Sequence, residues 1–305
     1  MSRLFLPLFI ASILSAEMLE RTQMMMGTFV TLSLPESHEK EMQQSFKVLK
    51  EVENSLSSYD KHADIYKLNH HRKTYITPYT YQALTLSTKY YQKSYGYFNI
   101  AVGSITKSLY HFGEDERVVQ VNLLHDANVN FNGLHFTEKS AWLDNGVRLD
   151  LGGMGKGFGV DRVIEYLKSQ KITKGTVALS GDIRCLDICD MAVQDPFDED
   201  KTVLTFRTRY PNTAISTSGN YRRFVKEKKY NHLINPKRKA SQQLFASVTL
   251  LSHGDNADID AYATATSVMP LQDAILFLNS LDVGYLLITT DNKKYQSENF
   301  RNFVE

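Results

Sequence analysis

Cysteine is scarce: Cys185 and Cys189 are the only two in 305 residues. Two thiolates are too few for a closed zinc site. They read as structural, with an optional disulfide in an oxidising compartment, since spacing alone does not show that the geometry fits. A dominant charge is also missing. Lys and Arg number 35 against 34 Asp and Glu, a net +1, so no broad field points to nucleic acid or to an acidic partner. The nine histidines, among them His70, His71 and His253, form no metal pattern. There is no internal repeat, low-complexity block or clear linker. What remains is ordinary globular composition, 42% hydrophobic and 23% charged, enough for one large or two small domains.

The apolar run from Leu4 to Leu14 is too short to span a bilayer. Behind the basic Arg3 and ahead of Ala16, it reads as a secretory signal over residues 1–16. An uncleaved membrane anchor is the competing reading. No Cys lies near it, so a lipid-attached N-terminus is not supported. The expectation is an exported, periplasmic protein with one mature domain over 17–305.

The chain is organised around Asp150-Leu151-Gly152-Gly153-Met154-Gly155-Lys156-Gly157-Phe158-Gly159-Val160-Asp161. Alternation over 147–151 predicts a half-buried strand, and apolar Val160, Val163, Ile164 and Leu167 predict an amphipathic helix over about 156–168. Glycines between them let the backbone turn tightly and approach a ligand. A helix N-terminus behind such a turn is an anion site suited to phosphate. It is not a Walker loop, because Gly157 follows Lys156 where Ser or Thr is needed. Nor is it the dinucleotide pattern, whose third glycine would fall on Phe158 or Val160.

Elsewhere the pattern predicts helices over 40–56, 78–91, 257–268 and 271–278, a short turn or helix at 65–69 and a further helix over 102–110. Strands are expected at 28–34, 129–131, 134–137, 141–143, 176–179, 191–194, 203–207, 214–217, 248–251 and 285–290, the last pairing with 294–295. Asn132-Gly133 and Asn145-Gly146 are hairpin turn signals. Many strands with interspersed helices argue for one α+β domain around a mainly antiparallel sheet.

Asp260 and Thr264 lie four apart on a helix, so their oxygens share a face. A carboxylate and a hydroxyl are hard ligands suited to Mg²⁺, which completes its shell with water and substrate phosphate. The bland alternative is a Thr bonded back to its helix and a solvated Asp. His232, before the turn fixed by Pro236, is a candidate general base or an ordinary loop histidine. Arg222 and Arg223 could steer phosphate or form a solvated edge. Tyr59, Tyr97 and Phe98 could stack on a planar ring or pack the core.

Taken together, the motifs resemble the ApbE family of FAD:protein FMN transferases. They are Met26-Gly27-Thr28, Ser58-Tyr59-Asp60, Gly96-Tyr97-Phe98-Asn99, the glycine loop, Ser180-Gly181-Asp182-Ile183, Thr217-Ser218-Gly219, His232-Leu233-Ile234-Asn235-Pro236 and Asp260-Ala261-Tyr262-Ala263-Thr264-Ala265, in order through nearly the whole mature chain. The resemblance implies a single T-fold-like domain that attaches FMN from FAD to a Thr or Ser of an acceptor flavoprotein and releases AMP. It implies Mg²⁺ on Asp260, Thr264 and the Gly153 carbonyl. It implies FAD contacts by Met26, Tyr59, Tyr97, Phe98, Asn99, Asp150, Lys156 and Ile234, with His232 and Lys156 as catalytic residues. The acceptor is expected to include subunits of membrane-associated redox complexes. Three acids usual in the family are amides here, Asn99, Asn220 and Asn235, and an amide keeps hydrogen bonding but loses charge. Ser180 stands where Gly is common, and Lys237-Arg238-Lys239 replaces the usual Arg-Thr-Gly. The same site would serve FAD hydrolysis to FMN and AMP, or FAD binding without turnover.

Overall fold

A computed structural model describes residues 17–221 and 223–305. The predicted export signal and Arg222 lie outside the described residues. The chain opens with β1 (Met18–Met25) and β2 (Thr28–Pro35), a hairpin turned at Met26 and Gly27, both at positive φ. Helices α1 (Glu39–Leu56) and α2 (Asp64–His71) follow, then β3 (Lys73–Tyr75), α3 (Pro78–Lys93), α4 (Gly103–Thr106) and α5 (Val121–Asp126). The hairpin β4 (Leu134–Phe136) and β5 (Ser140–Leu143) precedes α6 (Gly155–Ser169). Strands β6 (Thr176–Leu179), β7 (Asp182–Cys185), β8 (Asp190–Gln194), β9 (Thr202–Arg207) and β10 (Thr213–Gly219) come next. After the short pair β11 (Ile234–Asn235) and β12 (Ala240–Ser241) come β13 (Phe245–Ser252), α7 (Asn256–Ser267), α8 (Leu271–Asn279), β14 (Gly284–Thr289) and β15 (Lys294–Gln296).

Eight strands form one sheet in the order β1-β2-β6-β7-β10-β13-β14-β15, every neighbour antiparallel. β13 and β14 are buried along their whole length, so both faces of the sheet centre are covered. Successive side chains point to opposite faces: Val248 and Leu250 enter the helical core, while Leu251, Leu286 and Ile288 pack on Phe206, Phe300 and Phe303 behind the sheet. Each fully buried Leu or Ile contributes about 2 kcal/mol of transfer free energy, which fixes this register against a one-residue slip. The fold is a single α+β arrangement around an antiparallel sheet, as the pattern predicts.

Four local expectations need correction. Residues 147–151 are no strand. Val147, Leu149 and Leu151 do enter the core, which produces the alternation. Yet the backbone bonds go to side chains and a loop, Leu149 N–H to Asn69 Oδ1 at 2.7 Å and Asp150 N–H to Ile100 O at 2.8 Å. Residues 129–131 are extended only up to Asn130, whose side chain caps a 3₁₀ turn at Phe131–Gly133; that turn also takes up the Asn132-Gly133 hairpin signal. In 102–110 only Gly103–Thr106 is helical. β1 has no counterpart among the expected strands, because this edge strand is exposed at nearly every position and carries no buried alternation. Cys185 and Cys189 are joined as a disulfide with Cα atoms 6.0 Å apart. No helix among the described residues is long and apolar enough to cross a membrane.

Candidate active site

The glycines of the central loop divide into two kinds. A Cβ on Gly157 would sit 2.4 Å from Asn256 O, and one on Gly153 would sit 2.8 Å from Thr264 Cγ2. Gly157 thus lets α6 meet the backbone of α7, and Gly153 lets the loop close on the Thr264 side chain. A Cβ on Gly155 would meet nothing within 4 Å, so this residue leaves the first turn of α6 open to the cleft. The N-cap residue of α6, Met154, makes no side-chain cap bond. Gly155 N–H donates to Leu151 O at 2.8 Å and Phe158 N–H to Met154 O at 2.9 Å, so what this helix end offers the cleft is chiefly its positive dipole end.

Helix α7 is held at both ends by side chains from other elements. The Asp161 carboxylate, on α6, accepts from the N–H groups of Asn256 and Ala257, both at 2.8 Å. Arg184 holds that carboxylate at 3.4 Å and donates to Asn256 Oδ1 at 2.7 Å. At the far end Asn235 Nδ2 donates to Val268 O at 2.6 Å. An ionised aspartate could not make that donation, which gives the amide at 235 a physical reason.

This clamping fixes Asp260 and Thr264 on the face of α7 toward the loop. Thr264 Oγ1 donates to the Gly153 carbonyl at 3.1 Å. Asp260, almost fully buried, accepts from Gly157 N–H at 3.0 Å and lies 3.6 Å from Lys156 Nζ. Lys156 reaches further to Asp182 Oδ2, at 2.5 Å, and Asp182 Oδ1 accepts from Ser216 Oγ at 2.6 Å. Burial, then the neighbouring Asp182, pushes the Asp260 carboxyl above the ordinary range against the pull of Lys156. Burial alone would lower the Lys156 ammonium, but Asp182 and Asp260 outweigh it and hold it above its ordinary value. The donor set is hard oxygen throughout. Among the described residues no group of three or more His, Cys, Asp or Glu could hold a metal. Adjacent ligands of an octahedral Mg²⁺ lie about 3 Å apart, which the Thr264 hydroxyl and Gly153 carbonyl match. The residues present therefore fit Mg²⁺.

The other end of the cleft is cationic. Lys107, itself nearly buried, donates to the Tyr59 hydroxyl and stands 3.9 Å from the Tyr59 ring centroid. Arg223 Nη2 donates to the same hydroxyl at 2.8 Å, and the hydroxyl donates to Phe112 O at 2.7 Å. Asp150 accepts from Thr106 Oγ1 at 2.7 Å and from Gly152 N–H at 2.9 Å, with Lys107 at 3.7 Å. Burial would raise the Asp150 carboxyl, but Lys107, Thr106 and Gly152 hold it down at about 2. His232 Nδ1 lies 3.1 Å from Arg223 O. Burial first, then the charge of Arg223, lowers the imidazole to about 4, so the ring is neutral near pH 7. A neutral ring with its proton on Nδ1, toward that carbonyl, leaves Nε2 as the basic nitrogen.

Among the described residues, every one to which the family resemblance gives a metal, FAD or catalytic role lines one cleft of about 1280 Å³. They do not all face it alike. Tyr59 is exposed, whereas Tyr97 is half-buried and lies under Lys237 Nζ, 3.7 Å from its centroid. Phe98 is 2% exposed and packs edge-on to Tyr90, so it serves the core more than a stacked ring. Asn99 spends its amide on the loop, donating to Val129 O at 2.9 Å and accepting from Ala101 N–H at 2.8 Å. Met26 is anchored by its N–H on Glu53 at 2.7 Å, and Ile234 sits in the small cluster with Ile105 and Phe112. Sequence reasoning gave no role to Lys107, Asp161 or Asp182. Asp182 sits in a quoted motif; Lys107 and Asp161 carry no local signal, because their partners are distant in sequence.

Similarity to known proteins places the chain in a family. Among characterised relatives, the FAD:protein FMN transferase of Vibrio cholerae serotype O1 is 27% identical over 281 residues, 85% of this chain and 83% of that protein. The FAD:protein FMN transferase of Buchnera aphidicola is 24% identical over 302 residues, 89% of this chain and 86% of that protein. In fold, the ApbE protein of Thermotoga maritima superposes with a TM-score of 0.86 at 21% identity, over 95% of this chain and all (100%) of that one. The flavin transferase ApbE from Vibrio cholerae gives 0.82 at 24% identity, over 94% and 99%. The ApbE family model matches residues 26–287, most of the described chain and every site residue above, and the chain therefore belongs to the ApbE family.

Proposed function

We propose that this protein transfers the FMN part of FAD to a Thr or Ser hydroxyl of an acceptor flavoprotein, with release of AMP and dependence on Mg²⁺. The observation that carries the reading is that Thr264 Oγ1 on the Gly153 carbonyl and Asp260 on Gly157 N–H both stand at the N-terminus of α6, beside Lys156. The relatives named FAD:protein FMN transferase support it. The cleft, about 1280 Å³, is large enough for a dinucleotide beside the roughly 300–1,000 Å³ of ordinary small-ligand pockets.

Asp260, Thr264 and Gly153 O would hold Mg²⁺, which when bound supplies charge neutralisation and polarisation of the diphosphate. The positive dipole end of α6 and the Lys156 ammonium hold the phosphate oxygens. The acceptor hydroxyl oxygen forms a bond to the FMN-side phosphorus, and the anhydride bond to the AMP phosphate breaks. His232 Nε2 takes the hydroxyl proton. Lys156 stabilises the negative charge that builds on the departing AMP. Tyr59 and Tyr97 offer rings to the flavin or adenine. Positioning and electrostatics dominate, as in phosphoryl transfer generally. Export to the periplasm belongs to the same reading, supported by residues 1–16 and by the Cys185–Cys189 disulfide. Acceptors would be exported flavoproteins, including subunits of membrane redox complexes.

The test is incubation with FAD, Mg²⁺ and a candidate acceptor. Flavin fluorescence that stays on the acceptor in a denaturing gel, with equimolar AMP, is the expected result. AMP without any acceptor would indicate hydrolysis, and FAD bound with no AMP formed would indicate a carrier.

A further inference from the structure

Lys156 stands between two buried carboxylates and is bonded closely to only one of them. Its ammonium is 2.5 Å from Asp182 and 3.6 Å from Asp260. Asp182 begins β7 and is 1% exposed. Its register partner across the ladder, Ser216 on β10, fixes its second oxygen at 2.6 Å. Asp182 therefore cannot turn away to solvent.

We propose that Asp182 is a positioning residue: it draws Lys156 off Asp260 and so keeps that carboxylate open to the divalent cation. The inference rests on the cation site proposed above. Three charges share this end of the cleft, and their sum is one negative charge. The Lys156 ammonium is half-buried beside two buried carboxylates, which favours its pairing with one of them. Without the Asp182 charge, Lys156 has Asp260 as its remaining acidic partner among the ion pairs of the described residues. It would then sit where the cation must bind, and the local sum would fall to zero. Ser216 acts one step further out, by holding Asp182 in the orientation that faces Lys156.

The test is Mn²⁺ alone, titrated calorimetrically into the full chain without FAD. Asp182→Asn should weaken Mn²⁺ binding by about tenfold or more, given the strength of a charge pair at this separation in a partly buried site. The double variant Asp182→Asn/Lys156→Met restores the single negative charge and should return to within about threefold of the original affinity. A purely structural role for Asp182 would not be rescued by deleting Lys156. If Asp182→Asn binds Mn²⁺ as the unaltered protein does, or if the double variant stays as weak as the single one, the inference is overturned. Should Asp182→Asn fail to fold, Ser216→Ala decides, with an expected weakening of about threefold from one lost hydrogen bond and no change as the contrary result. Asp260→Ala separates this inference from its premise. If that variant still binds Mn²⁺ normally, the cation site itself is misplaced, whatever Asp182 does.

Discussion

The carboxylate of Asp161 caps a helix to which it does not belong. It accepts the first two N–H groups of α7, from Asn256 and Ala257, at 2.8 Å each. The N-cap residue of α7 itself, Asp255, makes no side-chain cap bond. Asp161 thereby ties the helix that carries Asp260 and Thr264 to the helix that carries Lys156.

Removing Asp161 should therefore cost more than an ordinary cap. The change leaves two helix N–H groups bare and Arg184 without its buried partner. Asp161→Ala is expected to destabilise the protein by about 3 kcal/mol, read as a lowered urea midpoint. A loss no larger than that of a surface substitution would show that the cap is dispensable.

Alanine substitutions along the glycine loop should sort by packing. Gly157→Ala places a methyl on the backbone of Asn256 and should destabilise by about 2 kcal/mol or more. Gly155→Ala meets open space and improves helix propensity by about 1 kcal/mol, so stability should hold or rise while FAD binding weakens. Thermal melts and FAD titration of both variants check this; equal melting losses would contradict it.

His232 fixes the acid side of the pH profile. Its folded value, about 4, lies below the ordinary 6.5. Between those limits the unfolded chain binds more protons, so this residue's contribution is full above about pH 6.5 and is lost as pH falls through about 4. The share of stability that His232 contributes should decline on acidification across that window, read as the difference between the unaltered protein and His232→Gln. The acid limb of kcat/KM, which reports the free enzyme, should lie near pH 4, and Arg223→Gln should move it upward. A limb near 6.5 in the unaltered protein would contradict the assignment of His232 as a buried neutral base.

Much of this was legible in the sequence, for identifiable reasons. Phe46, Leu49, Val52 and Leu56 mark α1 because helix burial repeats every 3.6 residues. The i, i+4 spacing of Asp260 and Thr264 put both side chains on one face before any fold was known. The extended stretch at 147–151 misled because side-chain burial alternates there while the backbone bonds leave the ladder. Edge exposure hid β1. Lys107, Asp161 and Asp182 stayed silent because their roles depend on partners far along the chain, at Tyr59, Asn256 and Lys156. The amides at 99 and 235 looked like lost acids; here both donate to carbonyls that an acid could not serve.

The central claim is that a divalent ion is held by Asp260, Thr264 and the Gly153 carbonyl where the diphosphate of FAD arrives. Anomalous diffraction from crystals grown with FAD and Mn²⁺ tests it directly. The account predicts one strong peak within about 2.2 Å of all three oxygens, bridging to a phosphate oxygen beside Lys156. A peak elsewhere in the cleft, or FAD phosphates lying away from the first turn of α6, would contradict it.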